Sequence, residues 1–158
     1  MKKRLSILAF AIACAPPRTE PVAIAPAPIA AGFNQTWNAV MDVLSDENIP
    51  VKTLDKASGY LMAEVAGVGA GDEEKYADCG NSFLNALAMQ GGGQMISRYN
   101  ILVRGDSVAS TVKVTATFVS GGGTSDANAK RCASKGILEK QLQTDVKARA
   151  ESSSRISK

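Results

Sequence analysis

The sequence predicts an α+β domain in which two helices pack on one face of an antiparallel sheet of about four strands, with one disulfide bond. Three observations predict this class. Apolar residues recur at helical spacing near both ends of the domain, period-two alternation lies between them, and two cysteines fall inside the same segment. The predicted order is helix, two strands, an ambiguous segment, two strands and a second helix, which is typical of a two-layer fold.

The start of the chain predicts an export signal. Basic residues at positions 2–4 precede a short apolar segment at positions 5–13, and the small residue Ala13 stands directly before Cys14. This order is that of a signal peptide, predicted here as residues 1–13. The cysteine at that place resembles a bacterial lipobox, in which the thiol is acylated and the cysteine becomes the mature N-terminus.

Lipidation of Cys14 would make the lipid the membrane anchor. A bilayer-spanning helix needs about 20 apolar residues, and residues 5–13 are too few. Ala15 after the cysteine resembles the residue choice of lipoproteins sorted to the outer membrane, so we expect an outer-membrane lipoprotein that faces the periplasm. The alternative is an ordinary secretory signal cut at another bond, with Cys14 incidental.

The charge of the chain gives no indication of a nucleic-acid partner. The formal charge is +3, and removal of residues 1–13 takes away three cations, which leaves zero. The basic balance therefore belongs to the precursor, and we predict no nucleic acid among the partners.

The two remaining cysteines, Cys79 and Cys132, predict a disulfide bond. Two thiols in one small domain of an oxidising compartment pair most simply with each other. The closed loop of about 54 residues would stabilise the fold by about 4 kcal/mol in the chain-entropy model. A redox or metal-binding pair is the alternative, but the chain has no CxxC motif and no histidine.

Composition divides the mature chain into three parts. Five of the six prolines lie in residues 15–31, which favours an extended polyproline-II tether of up to about 50 Å. We therefore predict a lipidated, Pro/Ala-rich tether over residues 14–32, a globular domain over residues 33–150 and a flexible tail over residues 151–158.

The predicted domain opens with a helix and a hairpin. Apolar residues from Trp37 to Leu44 recur at helical spacing, and Pro50 ends the helix because the residue before proline avoids the α region. Trp37 is expected in the core, and an exposed position would instead make it a binding hot spot. Two strands follow at residues 51–54 and 60–65, joined by a polar turn.

The second half of the domain supplies two more strands and the second helix. Residues 72–93 are ambiguous, with a short helix expected at residues 83–88. Residues 96–104 and 110–120 predict strands, and the second alternates between apolar and polar residues, as in a sheet with one buried and one solvated face. A helix is predicted over residues 136–149.

No residue pattern predicts a catalytic residue, a metal ligand or a cofactor. The absence of histidine removes the commonest general base and metal ligand. Glycines within residues 67–71 lead into acidic residues that would repel phosphate. Ser110 and Lys113 have the Ser-x-x-Lys spacing of penicillin-interacting enzymes, but on a strand they point to opposite faces. We therefore predict that the protein is not an enzyme.

Two stretches resemble parts of envelope lipoproteins. Residues 33–44, with the positions that follow as far as Gly59, resemble a helix-hairpin opening in Gram-negative lipoproteins. The same pattern is similar to repeated domains in the lipoprotein C subunit of the outer-membrane β-barrel assembly machine. Residues 132–139 read Cys132-Ala-Ser-Lys-Gly136-Ile-Leu-Glu139. They resemble a Cys-x-Ser-x-Gly-x-Leu-Glu signature of small uncharacterised Gram-negative outer-membrane lipoproteins, and this resemblance implies no particular activity.

These observations predict a non-catalytic binding or assembly module, held on the periplasmic face of the outer membrane by the lipid on Cys14. Its expected partners are the membrane, through that lipid, and an envelope protein. The alternative is a periplasmic small-ligand carrier with a pocket between sheet and helices. A third hypothesis is an envelope hydrolase that uses a carboxylate or lysine pair. A large apolar cavity would favour the carrier, and a filled core would count against it.

Overall fold

The computed structural model describes residues 20–68, 73–80, 95–120 and 130–156. The predicted signal peptide at residues 1–13, Cys14 and the short helix expected at residues 83–88 lie outside the described residues. Within the described ranges, no helix is long and apolar enough to cross a membrane.

Seven strands and three helices form in the described ranges. They are β1 (Ala27–Ile29), α1 (Phe33–Asp46), β2 (Val51–Asp55), β3 (Tyr60–Val68), α2 (Glu73–Tyr76), β4 (Ala77–Asp78), β5 (Met95–Gly105), β6 (Ser110–Ser120), β7 (Lys130–Ser134) and α3 (Ile137–Ile156). The strand order across the sheet is β2-β3-β5-β6-β7-β4, and β1 pairs with the first residues of β6. All of these pairs are antiparallel.

The α+β class, the antiparallel sheet and the two long helices are confirmed, but the predicted count of about four strands was wrong. The four predicted strands correspond to β2, β3, β5 and β6. The other three have three, two and five residues. Strands this short show little or no alternation, so pairing with distant residues defines them and a local pattern does not.

Period-two alternation divides the sheet into a buried and an open face. Odd-numbered residues 95–103 of β5 and even-numbered residues 110–118 of β6 are buried, as are Leu61 and Ala63 of β3. Helices α1 and α3 contact each other and the sheet on this side. The alternation in β6 therefore predicts correctly which side of that strand is buried.

Helix α1 presents one apolar stripe to the sheet. Its buried residues are Thr36, Trp37, Ala39, Val40, Val43 and Leu44. Phe33 stacks on Trp37 one turn later, with ring centroids 6.0 Å apart. Trp37 is 4 % exposed, so it packs in the core and is not a surface hot spot. The helix ends at Asp46, and Asn48 with a φ of 54° turns the chain toward β2.

A buried chain of hydroxyl groups fastens α1 to β6. The Ser110 hydroxyl donates to Ala31 O at 2.8 Å, and Ser110 Oγ lies 2.6 Å from Thr36 Oγ1. Because Ser110 has a single hydroxyl proton, which goes to Ala31, Thr36 must donate to Ser110. The three groups therefore satisfy one another in a place that is closed to water.

Both ends of the predicted domain were placed too far inward. The tether was predicted to extend to residue 32, but β1 pairs with β6, and Ile29 and Ala31 are each 2 % exposed. The flexible tail was predicted from residue 151, but α3 continues to Ile156. Strand pairing and burial hold β1 in the fold, and the Ala30 N–H bond to Glu151 connects the end of α3 to it. Proline and serine content reveals neither.

The predicted disulfide bond between Cys79 and Cys132 is confirmed. Cys132 lies in β7 and is 6 % exposed, and Cys79 directly follows β4. The bond therefore ties the last pair of strands together beside their own antiparallel pairing, Ala77 with Ser134 and Asp78 with Ala133.

Candidate functional site

The N-terminal segment, residues 20–31, is seated on β7, β6 and α3. Val22 N–H donates to Ser134 O at 3.1 Å, and Ala27 and Ile29 face Val112 and Ser110 in the β1–β6 pair. This segment is the part of the described chain that leads back to Cys14. The contacts of this segment, which we call its seat, therefore determine where an anchor at that cysteine would attach to the fold.

The residues of the Cys-x-Ser-x-Gly-x-Leu-Glu signature build this seat. Cys132 forms the disulfide bond, and Ser134 Oγ accepts the N–H of Gly136 at 3.0 Å. Gly136 has a φ of 76°, and a Cβ on it would lie 2.7 Å from the Ile24 side chain. Leu138 packs against the core. All four residues have structural roles in the described chain.

Glu139, the last residue of the signature, binds a backbone N–H of β6 at a place where no strand pairs with this edge. β1 pairs with β6 at residues 110–112 and β7 pairs with it at residues 118–120. Between them, Glu139 Oε1 accepts the N–H of Ala116 at 3.2 Å. Glu139 is 2 % exposed, and its second oxygen has no hydrogen-bond partner. The carboxylate thus occupies the place of a strand carbonyl.

Three further side chains of α3 follow Glu139 at intervals of four residues, and each binds the backbone of the N-terminal segment. We call these four side chains the α3 row. The hydrogen bonds run from Gln143 Nε2 to Ala25 O at 2.9 Å, from Lys147 Nζ to Pro28 O at 3.0 Å, and from Ala30 N–H to Glu151 Oε1 at 3.1 Å. Positions four apart lie on one face of a helix. The row therefore covers the outer edge of β1, which no strand of the described chain pairs with.

The contacts of residues 20–31 limit the length that a tether from Cys14 could have. Seven residues lie between Cys14 and Val22, and a polyproline-II conformation would span about 25 Å from one to the other. The tether of about 50 Å that the proline content predicted is therefore about half as long, because the second half of it belongs to the fold.

The open sheet face is the side of the described strands that faces away from α1 and α3. We define it as even-numbered residues 60–64 of β3 and 96–104 of β5, odd-numbered residues 111–119 of β6, and Arg131 of β7. Most of these side chains are partly exposed, and Arg104, Lys113, Thr115 and Arg131 are exposed. No helix of the described chain covers this face.

Basic and acidic side chains both lie on the open sheet face. Arg98 binds Glu64 through Nε at 3.1 Å and Nη2 at 2.7 Å, and Arg104 donates to Ser58 O in the β2–β3 turn. Within the described residues, Lys113 and Arg131 make no ion pair. Glu64 is joined on this face by Asp55 of β2, which stands opposite Tyr60, and by Asp78 of β4, which stands opposite Ala133. The described face therefore has four cations and three carboxylates.

Three open grooves lie on the described surface. Two flank β1, with volumes of about 620 and 550 Å³, and Lys147 lines both. The third, of about 390 Å³, lies between α1 and α3. None of these three is an enclosed cavity, and Ile101, Val40 and Leu44 at the sheet–helix interface are each 1 % exposed or less. The described core is therefore filled.

The altered pKa values have structural causes. The Val108 and Ala109 N–H groups bind Asp106 Oδ1 at 2.7 and 2.9 Å, and the Ala109 bond in particular lowers the pKa of that carboxyl. Hydrogen bonds from Ser58 lower the pKa of Asp55 in the same way. Burial raises the pKa of Tyr99. The two aspartates stabilise hairpin turns, and Tyr99 lies in the core.

The other residues singled out by the sequence do not form a reactive site in the described chain. Ser110 is buried below the helices, whereas Lys113 is exposed on the open sheet face. Among the described residues, no group of Cys, Asp and Glu could hold a metal ion. Lys113 belongs to the solvated face that the alternation predicted, whereas Arg131 and the α3 row were missed because β7 and β1 were not predicted.

Comparison with known proteins adds no family assignment: no family model matches the chain, and no curated protein matches its sequence.

Proposed function

We propose that this protein is a lipid-anchored, non-catalytic binding or assembly module on the periplasmic face of the outer membrane, with an envelope protein as partner. The observation that carries the proposal is the seat of the N-terminal segment. A chain that needed only a loose tether would gain nothing from the backbone bond at Val22 and the three bonds from α3. These contacts instead make residues 20–31 part of the fold, so that the described domain begins a few positions after Cys14 in the sequence.

The filled core favours surface binding over a carrier function. A carrier with a pocket between sheet and helices needs a cavity of several hundred Å³ in which its ligand is mostly buried. The described sheet–helix interface is closed, and the three grooves lie outside it. The open sheet face and the exposed sides of α1 and α3 offer surfaces for partners instead.

The anchor is tested by labelling cells with a radioactive or clickable fatty acid. We expect label on the wild-type protein and none on Cys14→Ser. The matched control is the double variant Cys79→Ser, Cys132→Ser, which loses both other cysteines and should keep the label on any protein that survives. Equal label on wild type and Cys14→Ser would contradict the anchor.

The protein partner is tested by photo-crosslinking in intact cells. One crosslinking residue replaces Asn38, which is exposed on α1, and another replaces Thr115, which is exposed on the open sheet face. We expect one reproducible envelope-protein adduct from at least one of these positions, and its loss in the Cys14→Ser background. No adduct from either position would contradict a protein-binding function.

A further inference from the structure

We propose that two copies of this chain exchange their N-terminal segments, so that residues 20–30 of one copy lie between the β6 edge and α3 of the other. The partner at this groove is a second copy of the chain, and each copy completes the fold of the other. The inference goes beyond the proposed function, because it requires neither a lipid on Cys14 nor another envelope protein.

The groove binds the segment mainly through its backbone. Besides the β1–β6 pairs, four hydrogen bonds hold the segment, and each involves a main-chain group, at Val22, Ala25, Pro28 and Ala30. These bonds form in the same way whichever copy supplies the chain. The segment of a second copy therefore fits the groove with all of these contacts preserved, which is the condition for exchange of an identical element.

Little apolar surface ties the segment to its own copy. Of residues 20–30, Ile29 is buried, Ile24 and Ala27 are partly buried, and the other eight are exposed. β1 makes three residue pairs with β6. A segment with few buried apolar contacts opens at a lower free energy than the whole fold. Residues 20–30 can therefore leave the groove while α1, α3 and the rest of the sheet stay folded.

Proline keeps the released segment close to its bound conformation. Pro21, Pro26 and Pro28 all lie within residues 20–30. Proline fixes φ near −65°, and segments rich in proline favour an extended polyproline-II conformation. Because the free segment is already extended, its ordering in the groove of a second copy costs less conformational entropy than that of a flexible chain.

The connection between the segment and α1 is short. Ile29 stands opposite Ser110. Three positions farther on, Gly32 lies against the β5–β6 turn, residues 106–109, where Ser107 O occupies the place that a Cβ would take. Phe33 N–H donates to Asp106 O at 2.7 Å. The hinge is therefore limited to residues 30–31, and short hinges are the connections at which strand exchange occurs.

The surface next to this hinge carries an uncovered apolar side chain. Two copies that exchange residues 20–30 meet at their β5–β6 turns, because the hinge lies beside this turn. Val108 in the turn is 75 % exposed, more than any other large hydrophobic residue of the described chain. Its N–H binds Asp106 Oδ1 at 2.7 Å, which fixes the turn. A second copy at this place would cover Val108.

A disulfide trap across the β1–β6 pair tests the exchange. The protein is the proposed mature chain, residues 14–158 with Cys14→Ser, which contains every described residue. Ala27 and Val112 stand directly opposite each other, so cysteines at both positions can form a disulfide bond. The double variant Ala27→Cys, Val112→Cys is purified in the folded state, oxidised, and separated on a denaturing gel without reductant.

The gel distinguishes exchanged from unexchanged chains. In an exchanged dimer the new bond joins two chains, whereas in an unexchanged chain, or in a dimer formed through another surface, it stays within one chain. We expect a covalent dimer whose amount rises with the protein concentration before oxidation, and peptide mass spectrometry should find the link between positions 27 and 112. The matched control is Ala27→Cys, Val114→Cys. Val114 is also buried but lies two positions beyond the partner of Ala27, so this pair should give no covalent dimer.

A second measurement leaves the core unchanged and locates the contact between copies. Analytical ultracentrifugation of the chain with Cys14→Ser should show a monomer–dimer equilibrium. Val108→Ser should weaken the association about tenfold, since an apolar side chain of this size is no longer buried there. The matched control is Ile137→Ser at the start of α3, where an apolar residue is 40 % exposed, and it should leave the association unchanged.

Three outcomes would overturn the proposal. One is complete oxidation of the 27–112 pair with a monomer band alone, and another is an equal amount of covalent dimer from the 27–114 control. The third is equal association of the Val108→Ser and Ile137→Ser variants. Failure of the proposed anchor is seen separately, because it would remove the fatty-acid label from wild type and leave the exchange of segments unchanged.

Discussion

At Gly136 the absence of a side chain lets the N-terminal segment lie against the start of α3. Its φ of 76° belongs to the left-handed region, and the space that a Cβ would need is taken by Ile24 and Val22. Both requirements point to glycine at this position. Gly136 of the signature thus leaves room for the segment that leads to Cys14.

Gly136→Ala should lower the free energy of unfolding by about 1–2 kcal/mol through the left-handed backbone alone, with a further loss from displacement of Ile24. In an Ile24→Ala background the second contribution disappears, because the atom that the new Cβ meets has been removed. A double-mutant cycle in urea unfolding measures the coupling, expected at about 0.5–1 kcal/mol. A coupling of zero would mean that Ile24 does not lie on Gly136 in solution.

Glu139 is expected to act as a hydrogen-bond acceptor for β6 and not as a charge. Glu139→Gln keeps an oxygen that can accept the Ala116 N–H, whereas Glu139→Met fills similar space and leaves that N–H unpaired. We therefore expect the Gln variant to be more stable than the Met variant by about 1–3 kcal/mol. Equal stability of the two variants in urea unfolding would show that the Ala116 bond is not needed.

Asp106 predicts a loss of stability in acid. Its pKa is lowered in the folded state, so its stabilising contribution is present above the ordinary value of 3.8 and disappears as the pH falls through the folded-state value. Asp106→Asn keeps an acceptor oxygen but does not titrate. The urea midpoint of wild type should exceed that of the variant at pH 7, and the difference should shrink toward pH 2.5. A difference independent of pH would exclude this role.

Among the elements, those with a strong local pattern could be predicted from the sequence. β6 occupies the predicted residues 110–120, because apolar and polar residues alternate along it and one face is buried by the helices. The stripe from Trp37 to Leu44 predicted α1, and the chain leaves the helix just before Pro50. In both elements, the apolar residues recur at the spacing of the side that is buried in the core, so the periodicity indicates both the element and its buried side.

The elements that could not be predicted are held by distant partners. β1 has three residues, and the middle one is Pro28, which favours a tether when seen alone. Its pairing partners lie about 80 residues later in β6, and its other edge is bound by α3. The end of α3 is polar and rich in serine, so its sequence shows no apolar stripe. Ala150, which is 0 % exposed, is the small apolar residue that packs just before this end.

The open sheet face could be predicted only in part for the same reason. Lys113 lies on the solvated side that the alternation of β6 indicates. Arg131 joins it only through the pairing of Val119 with Arg131, and the predicted strands did not include β7. A charge pattern that spans several strands depends on their register, which one sequence does not reveal.

For the whole molecule, the N-terminal segment is both the link to the proposed anchor and a part of the core. Ile29 and Ala31 are buried, and Ala31 O accepts the Ser110 hydroxyl that also holds α1. If Cys14 carries the proposed lipid, the chain between the lipid and the fold would therefore be about half as long as the tether of about 50 Å that composition predicted.

The last prediction concerns the boundaries of the domain. A fragment of residues 33–150, the domain that composition predicted, lacks β1 and the end of α3, whereas a fragment of residues 20–156 contains both. We expect the shorter fragment to be less stable by at least about 3 kcal/mol, since burial of a side chain such as Ile29 contributes about 1.5–3 kcal/mol and the hydrogen bonds of Ala31 and β1 add about 1 kcal/mol each. Urea unfolding followed by circular dichroism measures the difference, and fragments 33–156 and 20–150 separate the contributions of the two ends. If residues 33–150 unfolded at the same urea concentration as residues 20–156, the N-terminal segment would be a tether after all, and the observation that carries the proposed function would lose its support.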